Sequence, residues 1–512
     1  MVENGMKQSG LMRLIAIAAL GCAMAACALM TMRIFGAISF FEPLQAGTKG
    51  AEYESLFAIW KVIFGGTLYA DQNQIPFSGT YYNWLFYHFY AWVTELILDV
   101  FALDARWLPT ITRLLSFSGL LVGGFIMYRS MVELLQLDDV WLKRFALMVS
   151  IFVFFGPLIG FFGVSTIPDI WPLVLTVGGV WVFVRGYEVR PLLTIFAVIA
   201  LSYLCWAFKQ NFLILPASVG LYLLLARRWR DAALLTVGCI TLAVFTLIAG
   251  DDVYRKMLYF GGSHVFLSGW QLKVNAINFA TKSVPFLVSL PVLLWLVAPS
   301  IKPWVRKALH GGLPPHAVIA CGTFVTLCQS LLTSSVIYAA ENHYYFFSYF
   351  AAFSTVGLTV VAYRANTMPL VAGVIQAAAW GAQTVAVLMV ITGFAGIVSV
   401  RPVHDQLVRV HNCLGPLPEP AFVANPYLAL PWLTDVATPF VVHMNYSSDR
   451  AAGVEKEAGG IGGLIDNGYF KTLVLPQGVD YFDGSALMLY EKQRACDVYD
   501  VYERTAKPAG GS

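Results

Sequence analysis

The apolar stretch LIAIAALGCAMAACALMTM, Leu14–Met32, indicates the solvent in which this chain folds. It carries no charged residue, and its length is close to the roughly 20 apolar residues that a helix needs to cross the hydrocarbon core of a bilayer. Lys7 and Arg13 precede it, as basic residues precede a retained signal anchor. The stretch therefore predicts a first transmembrane helix whose N-terminal end lies in the cytoplasm.

Ten further apolar runs follow the first one and bring the predicted number of transmembrane helices to about eleven. They are Ile111–Met127, Phe145–Val164, Ile170–Val184, Pro191–Phe208, Phe212–Ala226, Ala232–Ala249, Val284–Ala298, Ala317–Ala339, Tyr344–Ala362 and Met368–Val400.

The composition of the whole chain agrees with this prediction. Of its 512 residues, 58% are hydrophobic and 12% are charged, against roughly 45–50% and about 25% in globular proteins. The mean hydropathy is +0.67. These values exclude a soluble enzyme, and they exclude a disordered chain, which needs low hydrophobicity and high net charge. The net charge of +3 gives no reason to expect a nucleic-acid partner.

Basic clusters predict the orientation of the helices. The clearest cluster is Arg227-Arg228-Trp229-Arg230, and lysine and arginine concentrate in cytoplasmic loops. With eleven spans and a cytoplasmic N-terminus, this cluster and the others along the chain fall on the cytoplasmic side.

The segment Asn83–Leu103 decides whether the number of spans before the basic clusters leaves those clusters on the cytoplasmic side. It is long enough to span, but a further span here would turn every later basic cluster outward. It also carries His88, Glu95 and Asp99, which are costly at bilayer depth. We therefore predict a helix lying in the outer interface, within a first outer loop of residues 42–107.

The C-terminal part has ordinary polarity and several strand-like segments, so we predict a transmembrane domain over residues 1–400 and an extracytoplasmic α/β domain over residues 401–512. The predicted fold class is a polytopic all-α membrane protein with interfacial helices in the first outer loop and this small outer domain. Cys413 and Cys496 lie in the outer domain, and their spacing leaves open a disulfide or two free thiols.

The few charges predicted on the outer face are the candidate functional residues. Glu52 and Glu54 open an amphipathic helix that ends at Gly65-Gly66, and their spacing keeps them off a common helical face. The alternative interpretation is a pair of capping or solvated acids.

Three more charges lie at predicted outer helix ends. Asp169 and Lys209 are alone there between Arg144 and Arg227, and Arg113 lies in the first turns of a span. Solvation at a helix end, or snorkelling of Arg113 to a lipid phosphate, would also explain them.

The first third of the chain resembles the GT-C superfamily, which are integral membrane glycosyltransferases that use polyprenyl-phosphate-linked sugars. The protein mannosyltransferase and lipid A aminoarabinose transferase families belong to it. The shared pattern begins with a signal-anchor span and an outer-loop acid, here Glu52. About thirteen residues later comes a Gly-Gly-x-x-Tyr-x-Asp turn, here residues 65–71.

The later parts of the pattern occur in the same order. An aromatic interfacial helix corresponds to Tyr81–Phe89, and an Arg-Leu pair that opens the second span corresponds to Arg113-Leu114. Pro168-Asp169 ends the second outer loop, Lys209 lies near the outer end of a later span, and Glu341-Asn342-His343-Tyr344-Tyr345 is the candidate for a late aromatic motif.

This resemblance implies transfer of a sugar from a polyprenyl-phosphate donor to a lipid, glycan or protein acceptor on the extracytoplasmic face. Inversion needs a carboxylate to deprotonate the acceptor. That base is assigned to Glu52, with Glu54 as reserve. Asp169 is expected to orient the acceptor or sugar, or to share a divalent cation with the first acid.

Cations near the lipid phosphate would stabilise the charge that develops on it, and Arg113 and Lys209 are the candidates. The candidate substrate contacts are Tyr69, Tyr82 and His343. No metal-ligand spacing is present, and a requirement for Mg²⁺ or Mn²⁺ is left open.

Two other functional classes compete with this assignment. A transporter or flippase of lipid-linked glycans often shows two repeated halves with Gly/Pro-interrupted spans, which we do not find. A non-catalytic membrane scaffold would leave the large aromatic outer loop unexplained, since loops more often carry function.

Overall fold

The structure is a computed structural model. It describes residues 2–38, 51–159, 161–260, 267–309, 312–336, 339–393, 397–434, 436–443, 445–451, 453–478 and 486–505. Residues 42–50 of the predicted first outer loop lie outside this described part.

Helices account for most of the described chain up to residue 414. They are α1 Val2–Ile38, α2 Ala51–Ile63, α3 Trp84–Phe101, α4 Leu108–Leu134, α5 Val140–Phe155, α6 Ile170–Gly186, α7 Pro191–Phe208, α8 Ile214–Leu225, α9 Trp229–Ala249, α10 Asp252–Phe260, α11 Gly269–Lys282, α12 Val284–Leu309, α13 Val318–Thr333, α14 Tyr345–Arg364, α15 Leu370–Gly393 and α16 Ile397–Leu414.

Each of the eleven predicted apolar runs contains a helix among its described residues, but not each of these helices is long enough to be a full span. Among the described residues, seven helices are long and apolar enough to cross a membrane, and α11 with α12, bent by 82°, would make an eighth. The remaining three runs form the shorter helices α5, α6 and α8. The multi-pass membrane architecture is therefore present, while the exact count of eleven stays a prediction.

The long helices pack closely inside and leave apolar faces outside. α1 lies between α15 and α5. Gly373 of α15 permits this contact, because a Cβ atom there would meet the Leu11 side chain at 2.4 Å. Phe125, Phe245 and Trp295 are exposed on outward faces. Apolar surface of this kind suits lipid rather than water.

Helix α3 forms the aromatic segment that the sequence predicted to be interfacial. Asn83 caps it, accepting a hydrogen bond from the Trp84 N–H at 2.8 Å. One face buries aromatic side chains, and the opposite face exposes Glu95 and Asp99 beside Leu96. α3 is not among the seven helices apolar enough to span. The helix is confirmed, and its depth in the interface stays a prediction.

The tail folds as an α/β unit. Its strands are β1 Ala421–Val423, β2 Thr472–Pro476, β3 Tyr490–Cys496 and β4 Tyr499–Arg504, and its short helices are α17 Pro431–Thr434, α18 Tyr446–Ala451 and α19 Gly460–Asp466. The sheet has the order β1-β2-β4-β3, with β1 parallel to β2 and the other pairs antiparallel. α16 runs across residue 400, so the predicted domain boundary lies within a helix and stays a prediction.

Cys413 at the end of α16 and Cys496 of β3 form a disulfide, with their Cα atoms 5.7 Å apart. This is one of the two alternatives that the sequence left open. A disulfide is typical of a domain in an oxidising compartment, and it ties α16 to the far edge of the sheet.

The disulfide predicts a defined labelling pattern. In unfolding detergent without reductant, a maleimide–polyethylene glycol should add to at most the six free cysteines, Cys22, Cys27, Cys205, Cys239, Cys321 and Cys328. Reduction should make Cys413 and Cys496 reactive and increase the gel shift. Labelling of all cysteines before reduction, or an unchanged pattern in Cys413→Ser, would contradict the pairing.

Candidate active site

The first outer loop brings its two acids to the beginning of α2. Glu52 and Glu54 lie in the first turn of this helix, where the helix dipole favours carboxylates. Both side chains are buried, Glu52 completely. A buried acid must find cations or hydrogen-bond donors, so the partners of the two acids define what each can do.

Glu52 is held by Arg113 in a two-pronged ion pair. The Arg113 Nε atom lies 3.0 Å from Oε1 and Nη2 lies 2.9 Å from Oε2, and both side chains are fully buried. The Thr166 N–H also donates to Oε1 at 2.9 Å. Arg113 Nη1 donates to the Ala37 carbonyl at 2.8 Å. The pair thus joins α1, α2, α4 and the loop before α6.

A second buried ion pair joins Asp169 and Lys209. The Lys209 Nζ atom lies 3.1 Å from Oδ1 and 3.3 Å from Oδ2 of Asp169, and the Asn342 amide donates to Oδ1 at 3.0 Å. The ammonium group also faces the rings of Tyr82, at 5.4 Å from the centroid, and Phe212, at 4.9 Å. These contacts stabilise a cation on aromatic faces.

His343 lies beside this second cluster. It follows Asn342 directly, and it interacts electrostatically with both Lys209 and Asp169. The Ser330 hydroxyl donates to the His343 carbonyl at 2.7 Å and fixes the turn. Three of the predicted residues, Asp169, Lys209 and His343, therefore come together although they are far apart in sequence.

Tyr69 and Tyr82 also come together. The Tyr69 hydroxyl donates to the Tyr82 carbonyl at 2.9 Å, and the Tyr82 N–H donates to the Tyr87 hydroxyl at 3.1 Å. Burial raises the pKa of both Tyr69 and Tyr82 well above the usual range, so both phenols are neutral. Tyr82 places its ring under Lys209 and thereby joins the first outer loop to the Asp169–Lys209 pair.

Glu54 lies among aromatic side chains and one lysine. Lys61, seven residues later and so on the same face of α2, is buried and donates to the Leu68 carbonyl at 2.9 Å. Burial lowers the pKa of Lys61 to about 8, and Glu54 partly opposes this shift. Burial and then the Glu54 carboxylate raise the pKa of the Tyr53 phenol. The two acids of α2 thus have different surroundings, as their spacing predicted.

Four residues of the site were not singled out in the sequence. Asn83 donates to the Trp206 carbonyl at 3.0 Å and accepts from the Tyr254 hydroxyl at 2.7 Å. Gln210 donates to the Tyr81 carbonyl at 2.8 Å. Asn83 before an aromatic helix is a recognisable capping signal. Asn342 lay inside a quoted motif, but Lys61 and Gln210 carried no signal that separates them from ordinary loop residues.

No group of three or more histidine, cysteine, aspartate or glutamate side chains that could hold a metal ion occurs within the described residues. The question of a Mg²⁺ or Mn²⁺ requirement therefore stays where the sequence left it.

The buried Glu52–Arg113 pair makes a prediction about stability. Arg113→Met would leave a buried carboxylate without its cation, a change that costs about 3–5 kcal/mol, so we expect a large fall in melting temperature. Glu52→Gln should also lower the melting temperature, and the double variant Glu52→Leu/Arg113→Met should melt at a temperature much closer to that of the wild type. If Glu52→Gln melts like the wild type but is inactive, the pair is dispensable for folding and Glu52 acts as the sequence predicted.

The pKa of Lys61 makes a second prediction. In the folded protein this pKa is about 8 rather than 10.5, so the unfolded chain binds more protons between these pH values and stability rises with pH across that window. We expect the melting temperature of the wild type to rise relative to that of Lys61→Met between pH 8 and pH 10. Parallel curves for the two proteins would show that Lys61 is charged throughout.

Comparison with known proteins identifies the fold. No protein-family model matches this sequence, and no curated protein sequence matches it either. Among solved structures, ArnT from Cupriavidus metallidurans in the apo state is similar over 97% of this chain and 100% of its own, at 14% identity and a TM-score of 0.53. The same protein bound to undecaprenyl phosphate matches over 95% of this chain and 98% of its own, at 13% identity and a TM-score of 0.51. At this identity the likeness shows the fold, and it confirms at that level the resemblance to the GT-C glycosyltransferases.

Proposed function

We propose that this chain is a GT-C-type membrane glycosyltransferase that moves a hexosyl or pentosyl group from a polyprenyl phosphate to an acceptor, with inversion. The observation that carries the proposal is the buried Asp169–Lys209 pair, set against Tyr82 at the point where the first outer loop meets the helix ends. The fold supports it, because ArnT shares this fold over its whole length and binds undecaprenyl phosphate.

Lys209 is the proposed ligand of the donor phosphate. An ammonium group has three donors, and Asp169 occupies one side of it. The site is shielded from water, so a cation there stabilises developing negative charge more strongly than it would in solution. Arg113 is a weaker candidate than the sequence suggested, because its guanidinium already contacts Glu52 and the Ala37 carbonyl.

Glu54 is the proposed base. Both oxygens of Glu52 already accept hydrogen bonds from Arg113, so this carboxylate is engaged by the guanidinium rather than directed at an acceptor. Glu54 lies two residues after Glu52 in α2, in a tyrosine-rich environment that suits a sugar or another hydroxyl-bearing acceptor. In the reaction, Glu54 takes the proton of the acceptor hydroxyl or amine, the acceptor atom bonds to the anomeric carbon, and the lipid phosphate leaves with the electron pair. Asp169 orients Lys209.

The orientation of the protein follows from the same proposal. The basic clusters favour a cytoplasmic N-terminus, and the Cys413–Cys496 disulfide favours an oxidising compartment for the tail. The reaction then takes place on the extracytoplasmic face of the plasma or inner membrane, and a lipid-linked donor reaches it within the bilayer.

The test is an assay of the purified protein with a panel of polyprenyl-phosphate sugars and candidate acceptors, measuring release of lipid phosphate. We expect turnover with at least one donor. Glu54→Gln should lower the rate by about 10²–10⁴, the usual contribution of a general base. Lys209→Met should also lower it, whereas Lys273→Met, which removes an exposed lysine, serves as the matched control.

Three outcomes would contradict parts of this proposal. Wild-type rates in folded Glu54→Gln would remove the assignment of the base, and wild-type rates in Lys209→Met would remove that of the phosphate ligand. Movement of labelled lipid-linked sugar across proteoliposomes, without release of lipid phosphate from any donor, would favour a flippase instead.

A further inference from the structure

The first outer loop is built into the core of the tail. Phe77 is fully buried in the tail's apolar cluster, where its ring lies 5.9 Å from that of Tyr446 and packs with Phe422 and Phe440. Because Phe77 is packed into the tail, the position of this loop depends on the position of the tail. The loop and the tail are therefore one packed unit in this structure.

Hydrogen bonds join the residues just before Phe77 to the tail as well. Glu457 of the tail accepts the Ile75 N–H at 2.8 Å with Oε2, and its own N–H donates to the Asn73 carbonyl at 2.8 Å. Lys456 Nζ donates to Asn73 Oδ1 at 2.9 Å. Each of these contacts joins residues that are more than three hundred positions apart in the chain.

His443 makes the contact that lies closest to the site. Its Nδ1 atom is 2.6 Å from the Tyr81 hydroxyl, and its backbone N–H donates to the Phe77 carbonyl at 3.3 Å. The imidazole side chain has no solvent exposure. On the other edge of the ring, Nε2 lies 3.7 Å from the Asp449 carboxylate, which Lys456 also contacts at 3.4 Å. The imidazole is thus held between the tail and Tyr81.

Tyr81 continues the connection inward. Its hydroxyl faces His443, while its carbonyl accepts from the Gln210 amide at 2.8 Å. The next residue, Tyr82, has its ring under the Lys209 ammonium, and Lys209 precedes Gln210. A displacement of Tyr81 would therefore shift both the aromatic face and the backbone that position Lys209.

We infer that His443 of the tail is a positioning residue for the donor site, acting through Tyr81 to hold Tyr82 and Lys209 in place. The tail is then a part of the catalytic unit rather than an appended domain. The kinetic consequences rest on the proposed function, while the structural coupling does not.

Hydrogen–deuterium exchange of the full-length protein in lipid nanodiscs tests the coupling without any assay of activity. Tyr81→Phe removes the hydroxyl contacts with both His443 and Gln72, whereas His443→Leu removes only the contact with His443. Amide exchange in residues 66–83 and around Gln210 should accelerate about fivefold or more in Tyr81→Phe and about fivefold in His443→Leu, and the second variant isolates the contribution of the tail. Arg409→Gln, which breaks an exposed ion pair with Asp497 on the tail, is the control and should leave these amides unchanged. Unchanged exchange in folded Tyr81→Phe would overturn the inference.

Kinetics then separate positioning from a merely structural role. With an active donor, Tyr81→Phe and His443→Leu should raise the KM for the donor about fivefold with little change in kcat, and His443→Asn, which keeps a polar atom near Nδ1, should restore part of the loss. A lower yield of folded protein with an unchanged KM would overturn the positioning role. Absence of transfer by the wild type would instead count against the proposed function and leave the exchange result standing.

Discussion

Burial of charge at the helix ends that meet the loop of residues 51–107 is the constraint on which the rest of the site depends. An ion removed from water must be paired, because an unpaired one costs several kcal/mol. The chain meets this requirement with the pairs Glu52–Arg113 and Asp169–Lys209, each of which joins segments that are distant in sequence. The geometry of the site follows from where these pairs can form.

The two pairs differ in whether their cation can also bind a further anion. Glu52 and Arg113 satisfy each other in a two-pronged arrangement, and each makes a further hydrogen bond with the backbone, Glu52 with the Thr166 N–H and Arg113 with the Ala37 carbonyl. This arrangement stabilises the packing of the segments that the pair connects. Lys209 instead lies between Asp169 and two aromatic faces, and the loop that carries Tyr82 covers it. Such a cation is placed to attract a second anion, and the proposed function assigns that place to the phosphate of the lipid donor.

Much of the architecture could be predicted from the sequence because hydropathy has a simple physical origin. The apolar runs contain helices, the aromatic segment Asn83–Leu103 contains the helix predicted for it, and the strand-like segments of the tail contain the strands of the sheet. Lengths were less certain, since α6 and α8 are shorter than a full span. The scarcity of charge also identified Glu52, Arg113, Asp169 and Lys209 as unusual.

Pairing could not be predicted in the same way. Arg113 lies 61 residues from Glu52, and a single sequence does not show which outer cation meets which acid. The burial of Phe77 in the tail and the contact between His443 and Tyr81 depend on the docking of two units, which leaves no periodic pattern in either. Residues such as Lys61 and Gln210 acquire their roles only from what surrounds them.

The central claim is that Lys209, rather than Arg113, receives the lipid phosphate. A cryo-electron microscopy structure of this protein with bound undecaprenyl phosphate tests it most directly. The account predicts phosphate density within hydrogen-bond distance of Lys209 Nζ, beside Tyr82 and with the Glu52–Arg113 pair intact. Phosphate density on the Arg113 guanidinium, with Glu52 displaced and Lys209 still bound to Asp169 alone, would contradict it.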